Sequence, residues 1–172
     1  MTSHRKTSLS RHFGLTRIIV CIGEMRDTEA YSAVEASFTG HTVVSTVHSG
    51  PAGAAHLRIA LLCQKRFPID FDTSLTQAAQ TFPVVVYAHK LENNARKCMD
   101  ISECVITQSG QREYNCLYSY QITKNTFENG KLTVEGHFRK PNSMSDSLKQ
   151  RLIRYGVPQD LLDRFFRKES VE

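Results

Sequence analysis

A short apolar run that ends in a charged cluster constrains the fold of this 172-residue chain more than any other feature. Residues 18–22 are all apolar, and a run of this length is typical of a strand buried on both faces. The cluster Gly23-Glu24-Met25-Arg26-Asp27 follows at once. Because open α/β sheets place their ligand crevice at the carboxyl ends of their strands, this cluster is a candidate site.

A helix is predicted directly after the charged cluster. Residues 28–38 carry apolar side chains at helical spacing, and Asp27 or Thr28 is available as the N-cap. Gly40 follows the last apolar position and can end the helix in a left-handed turn.

A second strand is predicted over residues 42–47, a β-branched run that lies between His41 and His48. A right-handed crossover makes the two strands parallel neighbours in one sheet. We therefore expect Glu24 and His48 to emerge together at the carboxyl edge of that sheet.

The remaining elements follow from spacing and turn residues. Further helices are predicted from Pro51 to about Cys63, from Asp70 or Asp72 to Phe82, from about Met144 to Tyr155, and from Pro158 to Lys168. Residues 84–87 are predicted to return to the parallel sheet as a buried strand. Beyond Lys90 the pattern predicts an antiparallel meander whose last two strands meet at an Asn129-Gly130 turn.

The chain resembles a family of motor ATPases in both its motifs and their order. GEMRDTEA at residues 23–30 and TGHTVVSTVHS at residues 39–49 resemble the Walker B and His-box segments of the type II/IV secretion ATPases. Downstream segments, such as GHFRKPNSMSDSLKQRLIRYGVP, resemble the CpaF-like ATPases of tight-adherence pili. The resemblance implies an α/β fold: the C-terminal half of a RecA-like P-loop NTPase domain, then an antiparallel β meander and C-terminal helices.

The resemblance also implies roles for individual residues. Glu24 matches the Walker B glutamate, which would polarise the attacking water and help to organise Mg²⁺ through water. His41 and His48 match the two His-box histidines, which are expected near the terminal phosphate of ATP. The other matched positions are expected to bind the nucleotide: Gly23, Arg26, Asp27, Thr39 and Gly40. Phosphoryl transfer needs a positioned water and donors that stabilise the phosphate oxygens, and this set supplies both.

The residues themselves leave structural alternatives open. Glu24 could be a satisfied polar residue near a helix start, His41 a turn residue, and His48 a neighbour of a helix N-cap. Arg26 and Asp27 could form only an ion pair or a cap, and the motif match is what favours nucleotide chemistry over these alternatives.

A P-loop is absent from the sequence. No G-x-x-x-x-G-K-[ST] string occurs, since Gly130-Lys131 is followed by Leu132 and Asn125 stands in place of the first glycine. Family members carry this loop upstream of the Walker B segment. We therefore expect the chain to be a C-terminal fragment, or a split or truncated product, that binds ATP poorly alone. The implied organisation is a basic segment over residues 1–16, a partial RecA-like core over 17–90, and a meander with helices over 91–172.

Composition narrows the classes of protein to which this chain could belong. The hydrophobic fraction of 40% is enough for one globular core, and no apolar run reaches the length of a membrane span. Five cysteines without a C-x-x-C pair or a secretory signal indicate reduced, buried thiols and the cytoplasm. The net charge of +5 arises mainly near both ends, and the basic residues near the C-terminus alternate with acids as on a solvated helix face, so nucleic acid is not the expected partner.

The expected function is that of an ATPase subunit that powers pilus assembly or type II/IV secretion. Its implied partners are ATP with Mg²⁺, copies of itself in a hexameric ring, and an inner-membrane platform protein. Its implied location is the cytoplasm, peripheral to the inner face of the membrane. The alternative is a non-catalytic module, a truncated half that associates with other motor subunits, and a basic nucleic-acid binder is the weaker third class.

Overall fold

The computed structural model describes residues 19–166, which form five helices and six strands. The first part holds β1 Ile19–Ile22, α1 Glu29–Phe38, β2 Thr42–Ser45, α2 Ala52–Gln64 and α3 Phe71–Thr81. The second part holds β3 Val84–Lys90, β4 Arg96–Ile106, β5 Arg112–Glu128, β6 Lys131–Arg139, α4 Asp146–Arg154 and α5 Gln159–Phe166. The chain is thus mixed α/β, in agreement with the expected class.

The strands form two separate sheets. β1 and β2 pair in parallel, with Ile19 opposite Thr42 and Ile22 opposite Ser45. The other four strands form an antiparallel sheet in the order β3-β4-β5-β6. The predicted strand, helix, strand unit and the meander are both confirmed. The prediction that residues 84–87 rejoin the parallel sheet is wrong, because β3 pairs with β4 instead.

The core lies between the parallel strands and the helices. Small residues of α1 pack against larger side chains of α2, and Ile22 and Val43 approach from the sheet. The buried members of this cluster are Met25, Ala30, Ala33, Val34, Ile59, Leu62, Cys63 and Ala78. Burial raises the pKa of the Cys63 thiol to about 11, so this thiol stays protonated at neutral pH.

Among the residues that the structure describes, helices cover only one face of the parallel sheet. Ile19 is 69% exposed and Val44 is 53% exposed, and both lie on the face opposite the helices. Cys21 shares that face and is also exposed, so the prediction of a strand buried on both faces is wrong, as is that of five buried thiols. Parallel sheets are almost always covered on both faces, which makes this open face unusual.

Three local signals act as predicted. Gly40 closes α1 with φ +92°, a conformation that favours glycine. The Asp70 carboxylate caps α3 by accepting from the Thr73 backbone N–H, 2.9 Å away. At the β5 to β6 turn, Asn129 and Gly130 have φ values of 51° and 74°, as the hairpin turn requires.

A buried carboxylate joins the antiparallel sheet to α4. Glu103, on β4, is 1% exposed and accepts from Asn115 Nδ2 at 2.6 Å. It also accepts from the backbone N–H of Ser145 at 2.7 Å and from the Ser145 hydroxyl at 2.8 Å. Ser145 is the N-cap of α4, and its Oγ accepts in turn from the Leu148 N–H. The negative charge therefore lies where the helix dipole stabilises it.

We expect Glu103→Ala to lower the free energy of unfolding by about 2–4 kcal/mol, because it leaves three partly buried donors without their acceptor. Urea unfolding followed by circular dichroism measures this loss. Glu113→Ala, on the exposed part of β5, is the matched control and should change stability by less than about 0.5 kcal/mol. Equal effects of the two substitutions would show that Glu103 does not hold α4.

Within residues 19–166, no helix combines the length and the hydropathy that a membrane span requires.

Candidate functional site

The candidate site lies where β1 and β2 end. Both strands run in the same direction, and the Met25 N–H extends their pairing by donating to the Thr46 carbonyl at 2.8 Å. The Thr46 hydroxyl also donates to the Gly23 carbonyl at 2.6 Å. These bonds fix the two loops that follow the strands and thereby set the positions of Glu24 and His48.

Glu24 is held from one side by a guanidinium. Arg26 Nη2 donates to Glu24 Oε2 at 2.7 Å, and the Glu24 side chain is 25% exposed. This hydrogen bond, with the charges of Arg26 and His48, lowers the pKa of Glu24 against a smaller effect of desolvation. The same pair raises the pKa of Arg26. Glu24 is therefore ionised at neutral pH, which makes it a weak base but a strong hydrogen-bond acceptor.

The second oxygen of Glu24 is available for another ligand. Oε1 is buried and has no hydrogen-bond partner among the described residues. His48 Nε2 lies 3.3 Å from it, without the alignment of a hydrogen bond, and the His48 side chain is 91% exposed. A buried carboxylate oxygen without a donor is costly, so a water molecule is the natural partner for Oε1. The predicted meeting of Glu24 and His48 is confirmed.

Asp27 lies at the start of α1 and contacts α2. Its Oδ1 is 3.1 Å from Lys65 Nζ, and its backbone N–H donates to Glu29 Oε2 at 2.9 Å. Both side chains of the ion pair are more than half exposed, so this contact adds little stability. Gly23 is exposed, and a Cβ there would meet nothing within 4 Å. No close packing in the described structure therefore requires glycine at this position.

Three of the predicted site residues lie at the opposite edge of the sheet. Thr39, Gly40 and His41 precede β2, whereas Glu24 follows β1, and the two strands are parallel. β2 alone separates the two groups by about 13 Å, at about 3.3 Å for each of its four residues. The strand direction therefore separates His41 from Glu24, and the expected place of His41 near the terminal phosphate stays a prediction.

These three residues form the end of α1. Thr39 Oγ1 donates to the Ala36 carbonyl at 2.9 Å, and Gly40 supplies the left-handed turn. His41 Nδ1 lies 3.2 Å from the same Ala36 carbonyl and 3.2 Å from Thr39 Oγ1. Such contacts are those of a helix C-terminus, where they satisfy carbonyls that the helix leaves unpaired.

The carboxyl edge fits indirect binding of Mg²⁺. Magnesium keeps several waters and takes one or two carboxylates together with phosphate oxygens. Glu24 offers one ionised carboxylate with a buried, unpartnered oxygen, which suits contact through a water. Among residues 19–166, no group of three or more His, Cys, Asp or Glu side chains could form a dedicated metal cage.

Like Glu103, a second buried polar residue escaped the sequence analysis. His56 lies on α2, is 0% exposed, and bonds the Phe82 carbonyl through Nε2 at 2.8 Å. Its Nδ1 is 3.1 Å from the Tyr114 hydroxyl. Since a carbonyl only accepts, Nε2 must carry the proton and Nδ1 accepts from tyrosine. Its position on the buried stripe of α2 is the one signal that could have indicated this structural role.

Comparison with known proteins identifies the family. A family described as type II/IV secretion system protein matches residues 18–140, well over half of the chain. The chain belongs to this family. Its members are secretion ATPases, which are generally oligomeric and use nucleotide with Mg²⁺.

A relative from Escherichia coli (strain K12), provisionally assigned as type II secretion system protein E, is 52% identical to the chain over 42 residues. That match covers 24% of this chain and 8% of the relative. The chain therefore spans only a small part of the length of this curated relative.

Proposed function

We propose that this secretion ATPase family member supplies the water-orienting half of an ATP hydrolysis site that powers pilus assembly or type II/IV secretion. The observation that carries the proposal is the carboxyl edge itself, where an ionised glutamate with an unpartnered buried oxygen lies 3.3 Å from an exposed imidazole. The CpaF-like branch, the hexameric ring, the platform protein and a location at the inner face of the membrane belong to this proposal.

Glu24 is the residue that orients the attacking water. Arg26 donates to Oε2 and holds the carboxylate in one orientation, and the unpartnered Oε1 is the oxygen that accepts from the water in this proposal. Because the pKa of Glu24 is lowered, the side chain accepts a hydrogen bond without taking the proton at neutral pH. Bound Mg²⁺ would supply charge neutralisation at the phosphates.

His48 is the residue that would contact the terminal phosphate. Its exposed ring can turn toward a ligand, and its contact with Oε1 keeps Nε2 close to the water position. A donor at this point stabilises charge on phosphate oxygens in the transition state. Asp27 contributes by fixing the loop to α2 through Lys65. The proposal gives Thr39, Gly40 and His41 no nucleotide contact, since they lie at the other edge of β2.

The phosphate-binding half of the site must come from elsewhere in this proposal. The sequence holds no P-loop, and the face with Ile19, Cys21 and Val44 is open. A RecA-like domain has further parallel strands and helices, which would cover such a face. We therefore expect the P-loop-bearing part of the domain to pack on this face and on the carboxyl edge.

The test is Mg²⁺-ATP hydrolysis by the purified full chain, alone and mixed with the P-loop-bearing N-terminal part of a family ATPase. We expect phosphate release only in the mixture. Association of the two parts is measured in parallel by analytical ultracentrifugation. Hydrolysis by the chain alone that does not respond to substitution of Glu24 would overturn the site assignment.

The second candidate is a non-catalytic module that associates with other motor subunits, and the missing P-loop favours it. It predicts that the two parts associate but that the mixture stays inactive. The ultracentrifugation measurement distinguishes this outcome from a mixture in which the two parts do not bind each other.

A further inference from the structure

The β5 to β6 hairpin extends beyond the rest of its sheet. β4 pairs with β5 only as far as Ser119, whereas β5 and β6 remain paired to the turn at residues 129–130. Residues 120–128 of β5 therefore pair with β6 alone. A two-stranded ribbon of this kind is marginally stable in water by itself, so it gains from a partner.

The ribbon has one apolar face and one polar face. Residues directly opposite each other share a face, and a bulge between Ile122 and Lys124 keeps the two faces distinct along the ribbon. The apolar face consists of the pairs Tyr120 and Phe138, Ile122 and Gly136, Asn125 and Val134, and Phe127 and Leu132. The polar face consists of the pairs Gln121 and His137, Lys124 and Glu135, Thr126 and Thr133, and Glu128 and Lys131.

The apolar face is largely exposed. Phe127 is 71% exposed, Phe138 is 57% exposed and Ile122 is 43% exposed. Large apolar side chains that cluster on one surface indicate an interaction site. Two of the four pairs on the polar face, Lys124 with Glu135 and Glu128 with Lys131, combine opposite charges, so these charges cancel and do not favour an anionic membrane or nucleic acid. These features favour a protein partner.

The outer edge of the ribbon is open for pairing. β6 is the last strand of its sheet and, among the described residues, pairs only with β5. An edge strand presents a row of backbone donors and acceptors that another strand can use. Antiparallel pairing of β6 with itself would keep the apolar faces of both copies on the same side only in registers centred on a residue.

One of these registers is complementary in charge. Centred on Thr133, it places Lys131 opposite Glu135 of the second copy and Leu132 opposite Val134 of the second copy. Centred on Glu135, it would oppose two glutamates, and Lys131 would face an arginine. Centred on Val134, it would place Lys131 opposite a histidine. Like charges directly opposite each other destabilise a sheet. Registers centred on Leu132 or Gly136 oppose no like charges, but neither sets a lysine or arginine opposite a carboxylate, so the Thr133 register is favoured.

We propose that β6 is a self-association surface, at which two copies of this chain pair antiparallel about a two-fold axis at Thr133. The pairing joins two narrow ribbons into a wider sheet, with Leu132 and Val134 of both copies adjacent on its apolar face. By symmetry each Lys131 to Glu135 contact occurs twice. This proposal does not rest on nucleotide binding, so the ATPase measurements neither support nor contradict it.

The test is a charge-swap series on the full chain, followed by sedimentation velocity over a range of concentrations. We expect the unmodified chain to dimerise. Lys131→Glu or Glu135→Lys should each weaken the dimer by roughly tenfold, because each sets like charges opposite each other at two symmetric positions. The double variant, which carries both substitutions, should restore dimerisation because the charges are again complementary across the axis.

A matched control separates the interface from the hairpin. Lys124→Glu removes the same pair within the chain as Glu135→Lys, but it lies on β5 and should leave the dimer intact. Circular dichroism checks that every variant keeps its fold. A monomeric unmodified chain, or a double variant as weak as the single ones, would contradict the proposed register. A dimer that survives both single swaps but is lost in Phe127→Asp would instead indicate packing through the apolar face.

Discussion

Glu24→Gln is expected to lower Mg²⁺-ATP hydrolysis by about 100-fold or more in an assembly of this chain with a P-loop-bearing partner. Glutamine keeps the size of the side chain but loses the negative charge that binds Arg26 and accepts from water. The amide nitrogen would also present a donor where the water needs an acceptor. Phosphate release at saturating ATP measures the turnover number, and its concentration dependence gives KM.

The matched control is Glu92→Gln, an exposed carboxylate after β3, which should leave the rate unchanged. KM for ATP should change little in Glu24→Gln, because the phosphate cradle comes from the partner. A lowered carboxyl pKa also means that Glu24 stays ionised as the pH falls from 8 to 4.5, which is the ordinary pKa of a glutamate side chain. Equal activities of Glu24→Gln and Glu92→Gln would exclude the proposed role.

His56→Phe is expected to lower stability as much as Glu103→Ala does. Phenylalanine fills a similar volume but removes the donor to the buried Phe82 carbonyl and the acceptor for Tyr114. We expect the free energy of unfolding to fall by about 2–4 kcal/mol. Urea unfolding at pH 7.5 measures the loss. His89→Phe, at an exposed position on β3, is the control and should change stability by less than about 0.5 kcal/mol.

His56 also predicts how stability depends on pH. Burial lowers its pKa below the ordinary value of 6.5, against a smaller opposing effect of the hydrogen bond to Phe82. Below pH 6.5 the unfolded chain therefore binds a proton at His56 that the folded chain does not, and stability falls as pH falls. His56→Phe should have a smaller loss of stability between pH 7.5 and 5.5 than the unmodified chain. An unchanged pH dependence would show that His56 does not titrate in this way.

Much of the local structure could be predicted from the sequence. The capping aspartate of α3, Gly40 after α1 and the Asn129-Gly130 turn act through bonds between near neighbours, so a short window contains the whole cause. Parallel pairing of β1 with β2 also followed, because a strand, helix, strand unit has one preferred hand. For the same reason Glu24 and His48 could be placed at one edge in advance.

The main error concerns which strands pair with each other. The run at residues 84–87 has the composition of a buried parallel strand, but β3 pairs with β4 instead, since the antiparallel partner follows it closely along the chain. The direction of β2 also places His41 at the edge opposite Glu24, and its nucleotide contact stays a prediction. Composition and motif describe a residue without its neighbours, so neither could decide these positions.

The sequence by itself therefore determined the order of elements, the turns and caps, and the pairing of acid and imidazole at one sheet edge. Only the tertiary structure decided which polar residues are buried. Glu103 and His56 look like ordinary surface residues in the sequence, and they are buried because Asn115 and Ser145, or Phe82 and Tyr114, converge on them from other elements. Burying a polar group is tolerated only when such partners meet it, and that meeting is a property of the folded chain.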